Sequence, residues 1–373
     1  MRNRSGAGID RLELNTIAAR LGRINITKVE VDGRAVTPRV ADQTITVPLG
    51  GVLPNGATTT VRVLYHATLR TGTGGHDWLF TRANGIIDAY RWLPWPSRPH
   101  RFDRPNFGDP FVTPVARRVE VAITTDRAMT IATGGRRIAS SGLTQTFVAE
   151  NVRDFNLTAS PFYSVSTTTA GDTQVRVYYR AGAAVSTIRT WAARALTRME
   201  ALVGTYPYPT YTVAQSAGGY GMESPALTWI PTGVATSNLP YLISHETAHQ
   251  WFYATVGNDQ ASEPYADEAA ADFLARYTLG ARRGSRCATA RLDRTIYDYS
   301  RTCYYEVVYI QGGNFIDDLR KRMGSTAFWR AMRTYVAAHR FGFSGTKTLL
   351  DALDAGTSLD LRPSYRSRFP RYY

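Results

Sequence analysis

Two histidines four residues apart, with a glutamate next to the first, are the strongest chemical signal in the sequence. Residues 245–249 read H-E-T-A-H, an H-E-x-x-H pattern. On an α-helix, side chains at i and i+4 lie on one face, so His245 and His249 can reach a single metal ion. Glu246 lies about 100° round the helix and borders that metal without having to bind it. This position suits a general base that acts on water, so the pattern predicts a zinc site and a hydrolytic reaction.

The flanking residues favour the helix that this chemistry needs. Pro240 lies near the expected start, Gly257 follows the expected end, and residues such as Ile243 and Trp251 supply an apolar face. We therefore predict a helix over residues 239–256. A pair of histidines satisfied by hydrogen bonds on a helix face is the alternative to a metal site.

A catalytic zinc site needs a third protein ligand and one open position. Glu268 lies nineteen positions after His249, in a strongly helical segment. We predict one Zn²⁺ per chain, bound by His245, His249 and Glu268, with Glu246 as the catalytic base. Asp272 follows Glu268 by four residues, one helical turn along the same face. It either accepts a hydrogen bond from a ligand histidine and orients it, or is a solvated helix carboxylate.

Two regions with different hydrophobic patterns surround these residues. Up to about residue 170, short alternating runs such as 29–31, 61–65 and 119–123 are separated by turn residues and predict β-strands. From about residue 184 the period is helical. We predict an α+β protein with an all-β saddle or sandwich domain over residues 1–180 and a mainly helical catalytic domain over residues 181–373. The first strand pattern is typical of the middle of a sheet, so we expect upstream strands to be missing from this sequence.

The spacing of the three ligands resembles the zinc signature of the gluzincin aminopeptidases, the family of aminopeptidase N and leukotriene hydrolase. That signature is H-E-x-x-H, eighteen residues and then Glu. Residues 220–224, Y-G-M-E-S, are similar to the family's Gly-Ala-Met-Glu-Asn segment, whose glutamate binds the free amino terminus of the substrate and whose backbone aligns the peptide. The resemblance implies that Glu223 binds the amino group and that Gly221 and Met222 contribute to substrate binding.

A second segment extends the resemblance. Residues 309–312, Y-I-Q-G, resemble the family's Tyr-x-Lys-Gly, whose tyrosine hydroxyl stabilises the tetrahedral intermediate. The resemblance implies this role for Tyr309, and a thermolysin-like catalytic domain that follows the β-rich domain without the family's C-terminal helical domain. The sequence departs from the family pattern at four positions, which are Tyr220, Ser224, Asp267 and Gln311.

The function that the resemblance implies is a zinc metallo-aminopeptidase acting on peptides with a free amino terminus. Two alternatives stay open. One is endopeptidase or epoxide hydrolase activity on the same zinc site. The other is a catalytically silent binding module of this fold.

Composition limits the classes of binding partner but does not determine the cellular compartment. The net charge is +14, but its arginines are spread along the chain and are not interleaved with stacking aromatics, so we predict no specific nucleic-acid partner. No apolar run approaches the roughly 18 to 20 residues of a membrane span. Cys287 and Cys303 are either free thiols or a disulfide. An extracellular location is favoured slightly over a cytoplasmic one, and the sequence does not indicate an oligomeric state.

Overall fold

The N-terminal region is built from short antiparallel strands. The structure is a computed structural model that describes residues 1–97 and 113–373. The strands before residue 161 are β1 (Ile9–Asn15), β2 (Asn25–Val31), β3 (Arg34–Ala35), β4 (Arg39–Ala41), β5 (Thr44–Leu53), β6 (Val61–His66), β7 (Phe80–Ala83), β8 (Ile86–Ala89), β9 (Trp95–Pro96), β10 (Ala116–Thr124), β11 (Thr130–Thr133), β12 (Arg136–Ser141), β13 (Thr144–Val152) and β14 (Leu157–Ser160). Within the described residues they form sheets ordered β4-β5-β1-β9, β3-β2-β6, β10-β13-β12 and β11-β14-β8-β7.

Alternating side chains build the core between the first two of these sheets. Val29 and Val31 of β2 are buried, while Lys28, just before them, is exposed and Glu30, between them, is partly exposed. The same small core is completed by apolar residues of β1 and β5, namely Leu12, Leu14, Ile45 and Val47. The period-2 pattern therefore predicted both the strands and their buried face, and the all-β N-terminal region is confirmed.

A fifth sheet, of five strands, carries Glu223. Its strands are β15 (Ser164–Ala170), β16 (Thr173–Tyr179), β17 (Thr210–Ser216), β18 (Met222–Ser224) and β19 (Leu227–Pro231). The order is β15-β16-β17-β19-β18, with β17 parallel to both its neighbours and β18 antiparallel at one edge. The sheet includes β15 and β16, which precede residue 180. The division at residue 180 remains a prediction.

Helices make up most of the chain after β19, and two more lie between strands, one of them within the N-terminal region. They are α1 (Ile17–Leu21), α2 (Val185–Val203), α3 (Leu239–Ala248), α4 (Ala270–Leu279), α5 (Arg301–Tyr304), α6 (Gly312–Met323), α7 (Ser325–Ala338), α8 (Thr346–Ala355) and α9 (Arg362–Tyr365). Two π-helical segments, Tyr265–Ala269 and Tyr305–Gln311, precede α4 and α6. Short 3₁₀ turns are formed by Asp77–Leu79 and Thr236–Asn238. The predicted α+β class is confirmed.

The helix that carries the H-E-x-x-H pattern is shorter than predicted. It ends at Ala248 rather than at residue 256, with His249 as its C-cap. The backbone then turns, because Tyr253 has a φ of 150°, which a helix cannot accommodate. Bonds from the N–H of Ala254 to His249 and of Val256 to Trp251 span five residues and complete the turn. Trp251 is thereby packed into the core rather than along a helix face.

Cys287 and Cys303 form a disulfide, which resolves the choice that the sequence left open. It closes the segment between α4 and α5 just before the π-helical segment Tyr305–Gln311. Among the described residues, no helix combines the length and the hydrophobicity that crossing a bilayer requires.

Candidate active site

Three side chains from two helical segments meet at one point. His245 and His249 come from the end of α3, and their Nε2 atoms lie 3.2 Å apart. Glu268 comes from the π-helical segment, and its Oε2 lies 3.2 Å from His245 Nε2 and 3.5 Å from His249 Nε2. Both imidazoles are buried. The structure therefore brings together all three predicted metal ligands.

These distances fit a tetrahedral zinc ion. With Zn–N bonds of about 2.0 to 2.1 Å, ligand atoms on a tetrahedron lie about 3.3 to 3.4 Å apart. The three measured separations of 3.2, 3.2 and 3.5 Å bracket that value. Oε2 of Glu268 is buried and has no well-formed hydrogen bond within the described part of the chain. Three converging electron-pair donors are the arrangement that a cation requires, so the residues fit Zn²⁺.

The charge of the site also favours a cation. Beside the two imidazoles lie four carboxylates with little or no solvent exposure, which are Glu223, Glu246, Asp267 and Glu268. Burial raises the pKa of Glu268, but the close contacts of its carboxylate with the imidazoles of His245 and His249 outweigh burial and hold that pKa well below its usual range. Ionised carboxylates at such short range repel one another unless a positive charge lies among them.

Glu246 faces the backbone of the segment that contains Gly221. A Cβ atom placed on Gly221 would lie 2.1 Å from Glu246 Oε1, so a side chain at residue 221 would displace the carboxylate. Atoms of Glu246, Glu223 and His249 that could bind a metal also lie within 4.8 Å of one another. Gly221 thus determines where the predicted base lies, and both glutamates border the metal ligands.

Glu223 lies on β18, the edge strand of the five-stranded sheet. Met222 and Glu223 pair with Trp229 and Thr228 of β19, and both are buried. Gln250, the residue after His249, donates to the carbonyl of Ser224 at 2.9 Å. The side chain next to a metal ligand therefore holds the strand that carries Glu223.

A buried polar network ties the same strand to the N-terminal region. Ser224 Oγ donates a hydrogen bond to Asp154 and accepts one from Asn156 Nδ2 at 3.1 Å. Tyr253 also donates to Asp154, and Arg91 Nη2 donates to the Tyr253 hydroxyl at 2.6 Å. Because buried polar groups need such partners, the network fixes the position of β18.

Tyr309 stacks on the first ligand histidine. Its ring centroid lies 5.4 Å from that of His245, with 22° between the planes. Burial raises the pKa of Tyr309 well above its usual value, and the negative charge of Glu268 raises it further. The hydroxyl is therefore protonated at neutral pH and able to donate a hydrogen bond at the metal site.

Comparisons with known proteins support this fold. No protein-family model matches the chain, and no curated protein matches its sequence. An M1 zinc metallopeptidase from Deinococcus radiodurans matches in structure with a TM-score of 0.72 and 20% identity, over 96% of this chain and 85% of that chain. A mutant of an M1 zinc metallopeptidase from the same organism, bound to the substrate Tyr-Ser-Ala, matches with a TM-score of 0.73 and 20% identity, over 96% and 86%. A two-domain M1 zinc metallopeptidase mutant bound to L-arginine matches with a TM-score of 0.72 and 20% identity, over 96% and 85%.

The chain has the M1 metallopeptidase fold. The M1 fold accounts for the order of the two regions, β-rich first and helical second, that the sequence predicted. The structural neighbours are zinc metallopeptidases, which agrees with the donor set found at the end of α3.

One predicted position within this M1 fold is wrong. In the described residues Asp272 does not accept the predicted hydrogen bond from a ligand histidine and is not solvated, because it is fully buried and accepts hydrogen bonds from Arg276 at 2.5 Å and Tyr241 at 2.6 Å. The sequence argument assumed α-helical spacing from Glu268. Since residues 265–269 form a π-helical segment, the α-helical spacing assumed between Glu268 and Asp272 does not hold.

Asp267 occupies the position that Asp272 was predicted to fill. Its Oδ1 lies 2.8 Å from His249 Nδ1, and the Phe252 carbonyl lies 3.0 Å from the same nitrogen. These acceptors favour the tautomer with the proton on Nδ1 and leave Nε2 to bind metal. The sequence marked Asp267 only as a departure from the family's Asn and gave no sign of its contact with His249.

Two further residues of the site had no signal in the sequence. The ring of Tyr241 stacks on that of His245 with centroids 5.9 Å apart, and the Tyr241 hydroxyl donates a hydrogen bond to Asp272. Gln260 contacts two of the buried carboxylates, Glu223 and Asp267. Both contacts join segments that are distant in sequence, so no local pattern marks them.

Proposed function

We propose that this protein is a zinc-dependent aminopeptidase that removes amino-terminal residues from peptides. The converging donors of His245, His249 and Glu268 support the metal. The structural neighbour that binds the substrate Tyr-Ser-Ala supports a peptide substrate. The position of Glu223 beside these ligands supports cleavage at the amino terminus of the peptide rather than at an internal bond.

The geometric argument for an exopeptidase rests on a short distance in the substrate. The amino nitrogen and the carbonyl carbon of one residue are separated by about 2.5 Å. A carboxylate of Glu223 lies within 4.8 Å of atoms of Glu246 and His249. An ammonium group bound by Glu223 therefore brings the first peptide bond, and no later one, to the metal ligands and the base.

Each of these side chains has a separate role in the proposed reaction. When bound, zinc supplies Lewis acidity that polarises the reacting groups and lowers the pKa of water. Glu246 removes a proton from the attacking water as its oxygen bonds to the carbonyl carbon, and returns a proton to the leaving amine. The protonated hydroxyl of Tyr309 donates to the carbonyl oxygen as negative charge develops there. Glu223 holds the ammonium throughout.

The decisive experiment compares free and blocked amino termini. Aminoacyl chromogenic substrates are assayed beside an internally quenched, amino-acetylated peptide, each with and without chelator. We expect turnover of the free-amine substrates, its loss with chelator, and little cleavage of the blocked peptide. Glu223→Gln should lower kcat/KM on free-amine substrates by roughly 10- to 100-fold, because a charge-assisted contact is lost.

Glu150→Gln provides the matched control, since this glutamate is exposed on β13. It should leave both substrates unaffected. Internal cleavage of the acetylated peptide as fast as trimming of free-amine peptides would identify an endopeptidase instead. No hydrolysis of any peptide by the zinc-loaded protein would favour the silent binding module.

A further inference from the structure

Gln260 lies between Glu223, the predicted ligand of the substrate amino group, and Asp267, which contacts the predicted metal ligand His249. Its side chain is buried, and it follows α3 in the segment that leads to the π-helical turn. Nε2 of Gln260 donates to Glu223 Oε1 at 3.1 Å and to Asp267 Oδ2 at 2.5 Å. One amide nitrogen thus contacts a carboxylate from β18 and a carboxylate from the metal-binding segment.

The chemistry of the amide explains why glutamine suits this position. An amide nitrogen carries two hydrogens, so it can satisfy two carboxylates at once, whereas the amide oxygen would repel both. The neutral amide also adds no charge to a pocket already crowded with carboxylates. The amide oxygen, Oε1, is buried without a hydrogen-bond partner in the described residues, so the contacts that hold this side chain are those made by its nitrogen.

These contacts are part of a continuous chain of hydrogen bonds. Asp267 uses Oδ2 for Gln260 and Oδ1 for His249 Nδ1, the latter at 2.8 Å. Three hydrogen bonds therefore connect Glu223 through Gln260 and Asp267 to His249. A change in the orientation of one carboxylate alters the partner available to the other.

We propose that Gln260 is a positioning residue that couples the carboxylate binding the substrate amino terminus to the affinity of the metal site. The assignment of the amino terminus to Glu223 rests on the proposed function. The link to the metal rests on Asp267 and His249 alone. The effect of Gln260 on substrate binding and its effect on metal affinity can therefore be measured separately.

Gln260→Met tests the coupling, because methionine has a similar length and no N–H donors. Without the amide, both carboxylates lose a donor and repel each other. We expect KM for free-amine substrates to rise about tenfold relative to that for an amino-blocked substrate. We also expect zinc release to a chelating dye, measured without any substrate, to become about tenfold faster, the size of effect seen when partners of metal ligands are removed.

Variants of Glu223 and Asp267 separate the effect on KM from the effect on zinc release. Glu223→Gln should change the ratio of free-amine to blocked KM strongly and zinc release more weakly, because its effect reaches the metal only through Gln260 and Asp267. Asp267→Asn should speed zinc release strongly and change that ratio more weakly, because its effect reaches Glu223 only through Gln260. Gln174→Met is the matched control, since Gln174 is exposed on β16 and contacts Arg176, and it should change neither readout.

The outcomes decide the proposal in every case. A folded Gln260→Met protein that alters only one of the two readouts shows that Gln260 serves a single carboxylate, and one that alters neither shows that it serves none. The coupling is wrong in both cases. If circular dichroism shows that this variant is unfolded, Gln260→Glu provides the test, because it keeps the shape and replaces the donors by a third carboxylate. Wild-type values for both readouts in Gln260→Glu overturn the proposal. If the wild-type enzyme cleaves free-amine and amino-blocked substrates equally well, the proposed function is wrong. The rate of zinc release would still test the link from Gln260 to His249.

Discussion

Gly221→Ala tests whether Glu246 is held where a catalytic base must lie. A Cβ on residue 221 would be 2.1 Å from Glu246 Oε1, whereas contacts under 3.0 Å essentially do not occur, so the carboxylate must move by at least 0.9 Å, the difference between the two. The same Cβ would lie 2.9 Å from Leu242 Cδ1, which restricts an escape in that direction. A misplacement of about 1 Å in a catalytic group costs on the order of 100-fold in rate. We therefore expect kcat to fall about 100-fold.

The assay measures kcat on a free-amine aminoacyl substrate, together with zinc content and melting temperature. Zinc content should be unchanged, because the substitution touches no metal ligand. Gly219→Ala is the control, since a Cβ at this position, two residues away, meets nothing within 4 Å. Activity of Gly221→Ala equal to that of Gly219→Ala would refute the reasoning, because it would mean that the position of Glu246 does not limit the reaction.

Three further predictions concern the oxyanion donor, the third ligand and a buried carboxyl. Tyr309→Phe should lower kcat by roughly 100- to 1000-fold with little change in KM, since the hydroxyl acts on charge that develops in the transition state; an unchanged kcat would leave Tyr309 as a packing residue. Glu268→Ala should lose zinc in metal analysis whereas Glu246→Gln retains it, and equal zinc contents would place the site elsewhere. Burial raises the pKa of Asp88 to about 7, although hydrogen bonds from Thr158 and the Ala217 N–H lower it. Because this pKa exceeds the unfolded value of about 3.9, the folded state binds the proton more tightly, and stability is lost as pH rises from about 4 to about 7, by at most about 4 kcal/mol. Asp88→Asn should therefore raise the melting temperature more at pH 8 than at pH 5, and a gain independent of pH would contradict this.

The elements with a clear hydrophobic period were predictable from the sequence. The alternation at Val29 and Val31 marked β2, and the stripe of Ile188, Met199 and Leu202 marked α2, because each pattern reports which face is buried. The end of α3 was not predictable, since the apolar residues after His249 continue the pattern although the backbone turns at Tyr253. Burial in the core and helical packing require the same residue types, so composition does not distinguish them.

By itself, the sequence was enough to predict the metal ligands and the base. His245, Glu246 and His249 are related by local helix geometry, and Glu268 follows at a spacing that marks the third ligand. The tertiary structure alone decided which side chains support them. The π-helical turn placed Asp267 rather than Asp272 against His249, and the meeting of β18 with the segment after α3 placed Gln260 between two carboxylates. Local periodicity is a property of consecutive residues, whereas a hydrogen bond between distant segments depends on how the chain packs, and only the folded molecule specifies that packing.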